Sequence, residues 1–205
     1  PLRLVGSEMC IRDRYVKSPC FTHFDKVFNE LSGKTWGIAG LGSIGRRVAD
    51  VAKAFGCRVV YFSASGHTYD TEFKRVSFDE LLENSDIISI HAPLNDKTNN
   101  LFDDAAFAKM KKNAVLLNLG RGPIVNNAAL TKALKENIIA GAGLDVIDKE
   151  PIAADNPLLE IQDSSKLIIT PHIAWATYEA RVRLMDDVYE NIKAFEAGES
   201  RNAVV

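Results

Sequence analysis

Apolar positions along the chain fall into short unbroken runs separated by helix-like stripes, an alternation that predicts strands covered on both faces and joined through helices. Runs at 35–39, 58–62, 87–90, 115–119, 140–146 and 167–170 read as strands, with a further short segment near 73–76. Residues 43–55 read as a helix whose core stripe is Ile44, Val48, Val51, Ala52 and Phe55, ended by Gly56. Ser77-Phe78-Asp79-Glu80 has the form of a capping box, and further helices are predicted at 103–111 and 127–136. A long amphipathic helix over 177–197 carries Val182, Met185, Val188, Tyr189, Ile192 and Phe195 on one side. Near the start, Phe21, Phe24, Val27, Phe28 and Leu31 share one helical face, which Ser32-Gly33 terminates. The fold class expected is α/β, a doubly wound parallel sheet.

Composition narrows the function classes. The 205 residues are 46% hydrophobic and 25% charged with a formal charge of -2, which excludes a basic excess that would attract nucleic acid or an anionic membrane. Cys10, Cys20 and Cys57 are odd in number and lack CxxC spacing, so neither a disulfide framework nor a zinc site is expected, and a reducing cytoplasm fits. No run approaches the roughly 18 apolar residues of a membrane span. Residues 1–14 show no sustained period or cap and do not begin with Met, and they read as a non-native or disordered leader.

Gly40-Leu41-Gly42-Ser43-Ile44-Gly45 stands where a strand hands over to a helix, the context that makes G-x-G-x-x-G a dinucleotide fingerprint. Gly40 permits the tight turn, Gly42 presents no Cβ to a pyrophosphate, and Gly45 lets the helix pack on the strand. The amides of Ser43 and Ile44 would face the phosphates. About 20 residues past the glycines such folds carry an acid for the adenosine ribose; here Ser63 stands at the end of the second strand. A hydroxyl still reaches the ribose but does not repel a 2′-phosphate. Ala64-Ser65-Gly66-His67 brings no arginine or lysine to such a phosphate, so the cofactor expected is NAD, with NADP admitted by Ser63.

Ligands of such sheets bind beyond the carboxyl ends of the strands. Ser63, His91, Arg121, Asp145 and His172 all follow strands closely. Singly, an arginine, glutamate or histidine is more often a surface or structural residue. Together, Arg121, Glu150 and His172 answer the needs of a 2-hydroxy acid that loses a hydride: a cation for its carboxylate, a base near neutral pH, and a carboxylate to orient that base. His23 and His67 lack such neighbours, and His91 is expected to shape the cofactor loop. No His, Cys and acid cluster has metal-ligand spacing.

The segments GLGSIG, HAPL, NLGRGPIV, GAGLDV, KEP and TPHIAW, in this order, resemble the NAD-binding domain of the D-isomer-specific 2-hydroxyacid dehydrogenases over residues 15–205. The resemblance implies a Rossmann-type domain at 33–176, entered by a helical arm at 15–32 and followed at 177–205 by a helix and tail that belong with a flavodoxin-like substrate domain. It implies Arg121, Glu150 and His172 as the catalytic triplet. Cofactor contacts are implied for Gly40, Gly42, Ser43, Ile44, Gly45 and Ser63, for Ala92 and Pro93, for Leu119, Gly120 and Arg121, and for Asp145, His172 and Ala174, with Asp145 near the nicotinamide amide. The implied reaction interconverts a small D-2-hydroxy acid and its 2-keto acid, glycerate and hydroxypyruvate or glycolate and glyoxylate, a branch to which Trp175 after His172 is similar. A homodimer is implied too. Because the family carries most of its substrate domain ahead of this one, the 205 residues are expected to bind cofactor with little turnover. Glu150 stands where formate dehydrogenases have glutamine, which argues against that cousin. The alternative of another class is a nucleotide-sensing corepressor-like protein of the same fold.

Overall fold

The computed structural model describes residues 29–203. The chain divides into two units, 1–31 and 32–205, and every helix and strand among the described residues belongs to the second. The helical arm expected at 15–32 lies outside the described residues except for its last four, which form no helix or strand.

Strand β1 (Thr35–Ala39) leads through a turn into α1 (Ser43–Ala54), which is followed by β2 (Arg58–Phe62) and the two-residue β3 (Lys74–Arg75). Then come α2 (Phe78–Asn84), β4 (Ile87–Ile90), α3 (Asp104–Lys109), β5 (Val115–Asn118), α4 (Asn127–Lys135), β6 (Gly141–Leu144), β7 (Leu167–Ile169) and α5 (Tyr178–Glu196). The strands form one sheet in the order β3-β2-β1-β4-β5-β6-β7, and every pairing is parallel. The order reverses beside β1, between β2 and β4, so a crevice opens at the carboxyl ends of β1 and β4.

Local chemistry explains several boundaries. Ser77 and Glu80 close the expected capping box, with Ser77 Oγ accepting from the Glu80 amide at 3.1 Å and Glu80 accepting from the Ser77 amide at 2.8 Å. Asp103, Asn126 and Thr177 cap α3, α4 and α5 through their side-chain oxygens. At the amino end of the sheet, Asp86 accepts from the Thr35 amide at 2.9 Å, from Lys111 at 3.1 Å and from Asn113 at 3.2 Å, tying the starts of β1, β4 and β5 together. The core packs Ile88, Ile90 and Leu116 of the strands against Leu81, Leu82, Phe107, Leu130 and Leu134 of the helices.

The core stripe expected on α1 is corrected. Ile44, Val51 and Phe55 are 67%, 55% and 58% exposed, and the residues turned inward are Gly45, Ala49 and Ala52. Only Ala52 of the expected stripe is buried, with Val48 partly so. The reason is proximity: a Cβ on Gly45 would lie 2.2 Å from the Gly40 carbonyl oxygen, a spacing that admits only small residues beneath the helix. The apolar stripe of α5 is likewise exposed, at Val182, Met185, Val188, Tyr189, Ile192 and Phe195.

Bulk inserted beneath α1 should therefore strain the domain. Ala49→Leu is expected to lower the unfolding free energy in urea by about 1–3 kcal/mol, whereas Val51→Leu on the outer side should change it by less than about 0.5 kcal/mol. Equal effects of the two substitutions would contradict the inward face assigned to Ala49.

Candidate active site

All seven strands end at one edge, and three loop systems meet there. The first is the glycine turn after β1. The Gly40 amide donates to Phe62 O at 2.9 Å and the His91 amide donates to Ala39 O at 2.8 Å, joining the ends of β1, β2 and β4. Gly40 has φ +98°, and a Cβ there would lie 2.6 Å from the Ala92 amide nitrogen, so the turn can pass the β4 loop only as glycine. At Gly42 a Cβ would meet nothing within 4 Å, which leaves the backbone open to a ligand. Helix α1 begins here with no side-chain cap and no acid in its first turn, so the amides of Ser43 and Ile44 remain available to an anion. The residues present therefore fit a dinucleotide pyrophosphate.

The second system follows β5. Fully buried Asn118 accepts from the Gly120 amide at 3.1 Å and donates to Arg121 O at 3.0 Å, stapling the turn. A Cβ on Gly122 would lie 1.9 Å from Ile147 O, so this turn packs directly on the chain leaving β6. Arg121 is exposed at the apex, its Nη1 donating to Gly120 O at 2.8 Å. Among the described residues it forms no hydrogen bond or ion pair with Glu150 or His172.

The third system joins the ends of β6 and β7. Asp145 is buried, and its Oδ1 accepts from the Ile173 amide at 2.9 Å while Oδ2 accepts from the Ala174 amide at 2.9 Å. Thr170 Oγ1 also donates to Oδ1, and the Asp145 carbonyl accepts the His172 amide at 2.9 Å. His172 is thereby held at φ +52°, a left-handed conformation unfavourable for a residue with a side chain. Glu150 Oε1 accepts the Ile147 amide at 3.1 Å, and Oε2 lies 2.7 Å from His172 Nδ1. One carboxylate oxygen fixes Glu150 to the backbone and the other fixes the imidazole. His172 Nε2 has no hydrogen-bond partner among the described residues. A cavity of about 540 Å3 adjoins this pair and is lined by Asp145, Ile147, Glu150, Thr170 and His172 among others.

Electrostatics agree with these contacts. The hydrogen bond from His172 holds the Glu150 carboxyl below its ordinary value, aided by the Ile147 amide. At Asp145 burial acts to raise the pKa, but the bonds from Thr170, Ala174 and Ile173 and the charge of His172 outweigh it and the carboxyl lies low. Burial pushes His91 down to about 4, which keeps it neutral, and its Nε2 lies 3.1 Å from Ser89 Oγ, which also accepts from Trp36 Nε1.

Of the residues singled out in the sequence, Glu150 and His172 are brought into contact, and Arg121 stands on a separate loop at the same edge. Gly40, Gly42, Ser43, Ile44, Gly45, Ala92 and Pro93 border the crevice between β1 and β4, while Leu119 and Gly120 flank Arg121 and Ala174 follows His172. Ser63 ends β2 as a buried residue with Oγ 3.1 Å from Ser65 Oγ. Asp145, expected beside a nicotinamide amide, has both oxygens engaged by the loop that carries His172. Asn118 and Thr170 were missed, although each is a polar residue at or just past the end of an apolar run. Strand order, not sequence proximity, brings Arg75 beside Gly66 and Thr68.

The family model described as "D-isomer specific 2-hydroxyacid dehydrogenase, NAD binding domain" matches residues 7–174. A glyoxylate reductase of Aeropyrum pernix is 44% identical over 174 residues, which are 82% of this chain and 50% of that protein. A glycerate dehydrogenase of Methylorubrum extorquens is 38% identical over 193 residues, 94% of this chain and 60% of that protein. The crystal structure of D-lactate dehydrogenase with NAD+ from Lactobacillus jensenii superposes with a TM-score of 0.81 at 32% identity, covering 98% of this chain and 63% of that one. The chain thus spans about half to three fifths of the length of these relatives.

The depressed Asp145 carboxyl makes the His172 loop sensitive to acid. Its stabilising contribution is fully present above the unfolded value of about 4 and is lost as pH falls through the lower folded value. Asp145→Asn should be less stable than the parent near neutrality, since an amide cannot accept from both backbone groups. It should also lose less of its urea midpoint than the parent does between about pH 6 and about pH 3. Identical pH dependence in the two proteins would show that this carboxylate does not hold the loop.

Proposed function

The chain belongs to the D-isomer specific 2-hydroxyacid dehydrogenases through their NAD-binding domain, and on that premise we propose that it supplies the cofactor site and the acid–base pair for interconversion of a small D-2-hydroxy acid and its 2-keto acid. The carrying observation is the 2.7 Å contact between His172 Nδ1 and Glu150 Oε2, which leaves Nε2 as the nitrogen available for proton transfer. In the oxidative direction neutral Nε2 takes the substrate hydroxyl proton, and in reduction the protonated ring returns it to the carbonyl oxygen. The nicotinamide, when bound, supplies the hydride acceptor or donor. Arg121 binds the substrate carboxylate, a role suited to an exposed guanidinium on a stapled turn.

Small substrates are favoured by the names of the similar proteins, a glyoxylate reductase and a glycerate dehydrogenase. Trp175 beside His172 supports the same choice: its Nε1 donates to His172 O at 3.0 Å, placing an indole next to the base. The same reading includes a homodimer in the cytoplasm, supported on the first count by the exposed apolar side of α1. No observation favours the nucleotide-sensing alternative.

Two experiments test the reading. Gly42→Val should fold normally, because its side chain meets no protein atom, yet lose NADH binding in a fluorescence titration; retained affinity would remove the pyrophosphate from this turn. In the complete protein, His172→Ala should lower glyoxylate or hydroxypyruvate reduction by roughly 10²- to 10⁴-fold while NADH binding persists. Glu150→Gln should move the basic limb of the reduction profile towards lower pH, because a neutral amide no longer stabilises the protonated ring. An unmoved limb would exclude Glu150 from that task.

A further inference from the structure

Away from the hydride-transfer pair, amide and carboxylate side chains gather around a hollow of about 640 Å3, supplied by Asn99, Asn100, Asn126, Asn127 and Asp148. None of them borders the cavity beside Glu150 and His172. Part of the group sets the frame. Asn126 caps α4 by accepting from the Ala129 amide at 2.9 Å, and its Nδ2 donates to Asn100 Oδ1 at 2.9 Å. Asp148 Oδ1 accepts from the Lys149 amide at 2.8 Å and from Asn156 Nδ2 at 3.1 Å.

The rest of the group is unengaged. Asn127 is only 7% exposed, yet its Nδ2 has no hydrogen-bond partner. Its Oδ1 accepts no hydrogen bond among the described residues either. A buried amide left without partners is costly, and such groups are normally satisfied by protein, water or a ligand. A half-turn of the amide exchanges its donor and acceptor ends, so Asn127 can offer either one to the hollow that it lines. The Asn99 side chain, Asn100 Nδ2 and Asp148 Oδ2 also form no hydrogen bond among the described residues. The amides of Asn127 and Ala128, in the first turn of α4, have no intrahelical carbonyl to donate to.

These groups narrow the chemistry of an occupant. Asp148 is the one charged residue on the lining, which disfavours an anion, and a single carboxylate is too little for a hard divalent cation. No aromatic ring lines the hollow to stack a base. The fitting ligand donates and accepts on adjacent atoms. A planar amide or carboxylate meets neighbouring hydroxyls in this way, while Pro123, Val125 and Pro157 offer apolar surface to the C–H groups between them. We propose that this hollow is a binding site for a neutral polyhydroxylated ligand, of the class of a hexopyranose or a cyclitol, held by Asn99, Asn127 and Asp148.

The test is a titration of the isotopically labelled 205-residue chain with D-glucose and with myo-inositol, read by amide NMR signals. Cyclohexanol, which lacks adjacent hydroxyls, and inorganic phosphate, which is charged, are the contrasting probes. Either polyol should give saturable shifts at Asn99, Asn127 and Ala128 with a dissociation constant of about 1 mM, and the contrasting probes should give none. Ala128→Trp fills the hollow from an exposed position without removing a side-chain hydrogen bond. It should weaken polyol binding at least about tenfold while the urea midpoint stays at the parent value. Asn127→Asp, which loses the donor end, should weaken binding about tenfold, and Asn99→Ala about threefold. Lack of saturable shifts with both polyols at about 50 mM overturns the site whether or not a variant folds. So do matching shifts from cyclohexanol or phosphate, and so does unchanged polyol affinity in Ala128→Trp.

Discussion

Parallel pairing is the constraint on which the rest of this domain depends. Strands that all run one way must each be returned by a crossover, and their carboxyl ends collect along a single edge. Backbone amides and carbonyls that leave the ladder there need partners. Buried side chains provide them: Asn118 for the turn after β5, Asp145 for the turn after β7, and Thr98, whose Oγ1 donates to Pro93 O at 2.6 Å and accepts the Asn95 amide at 2.8 Å, for the loop after β4. The candidate site is the edge of the sheet with its hydrogen bonding completed.

Two carboxylates divide the work around His172. Asp145 sets the backbone, through two amides and a hydroxyl, and so determines where the ring is rooted. Glu150 sets the ring, through a single short contact to Nδ1, and so determines which nitrogen is left for chemistry. The division follows exposure. A buried carboxylate that is saturated with donors stays ionised and rigid, whereas one facing solvent beside an imidazole responds to the proton that the ring carries.

Most of the strands were legible because a parallel sheet buries both faces and writes each strand as an unbroken apolar run; β1, β2 and β4 have the bounds that the pattern predicts. Glu150 and His172 could be paired on chemical need alone. Helix α1 misled because periodicity identifies a stripe of large apolar residues without saying which side meets the sheet. When backbones approach closely the buried side is the one with the least volume, and Gly45, Ala49 and Ala52 carry too little hydrophobicity to announce themselves. The contact of Arg75 with the loop after β2 was invisible for a different reason. Its neighbours Gly66 and Thr68 precede it by several residues, and only the pairing of β3 on β2 brings it back to them.

The stapled turn after β5 separates shape from reactivity. Its course is held by Asn118 beneath it and by the lack of a side chain at Gly122, where the chain leaving β6 presses against it. The Arg121 side chain contributes to neither, since its one hydrogen bond among the described residues returns to the carbonyl just before it. The guanidinium is thus an interchangeable head on a fixed mount. A change of the side chain at this apex would leave the turn standing, while substitution at Asn118 or Gly122 would dismantle the mount itself.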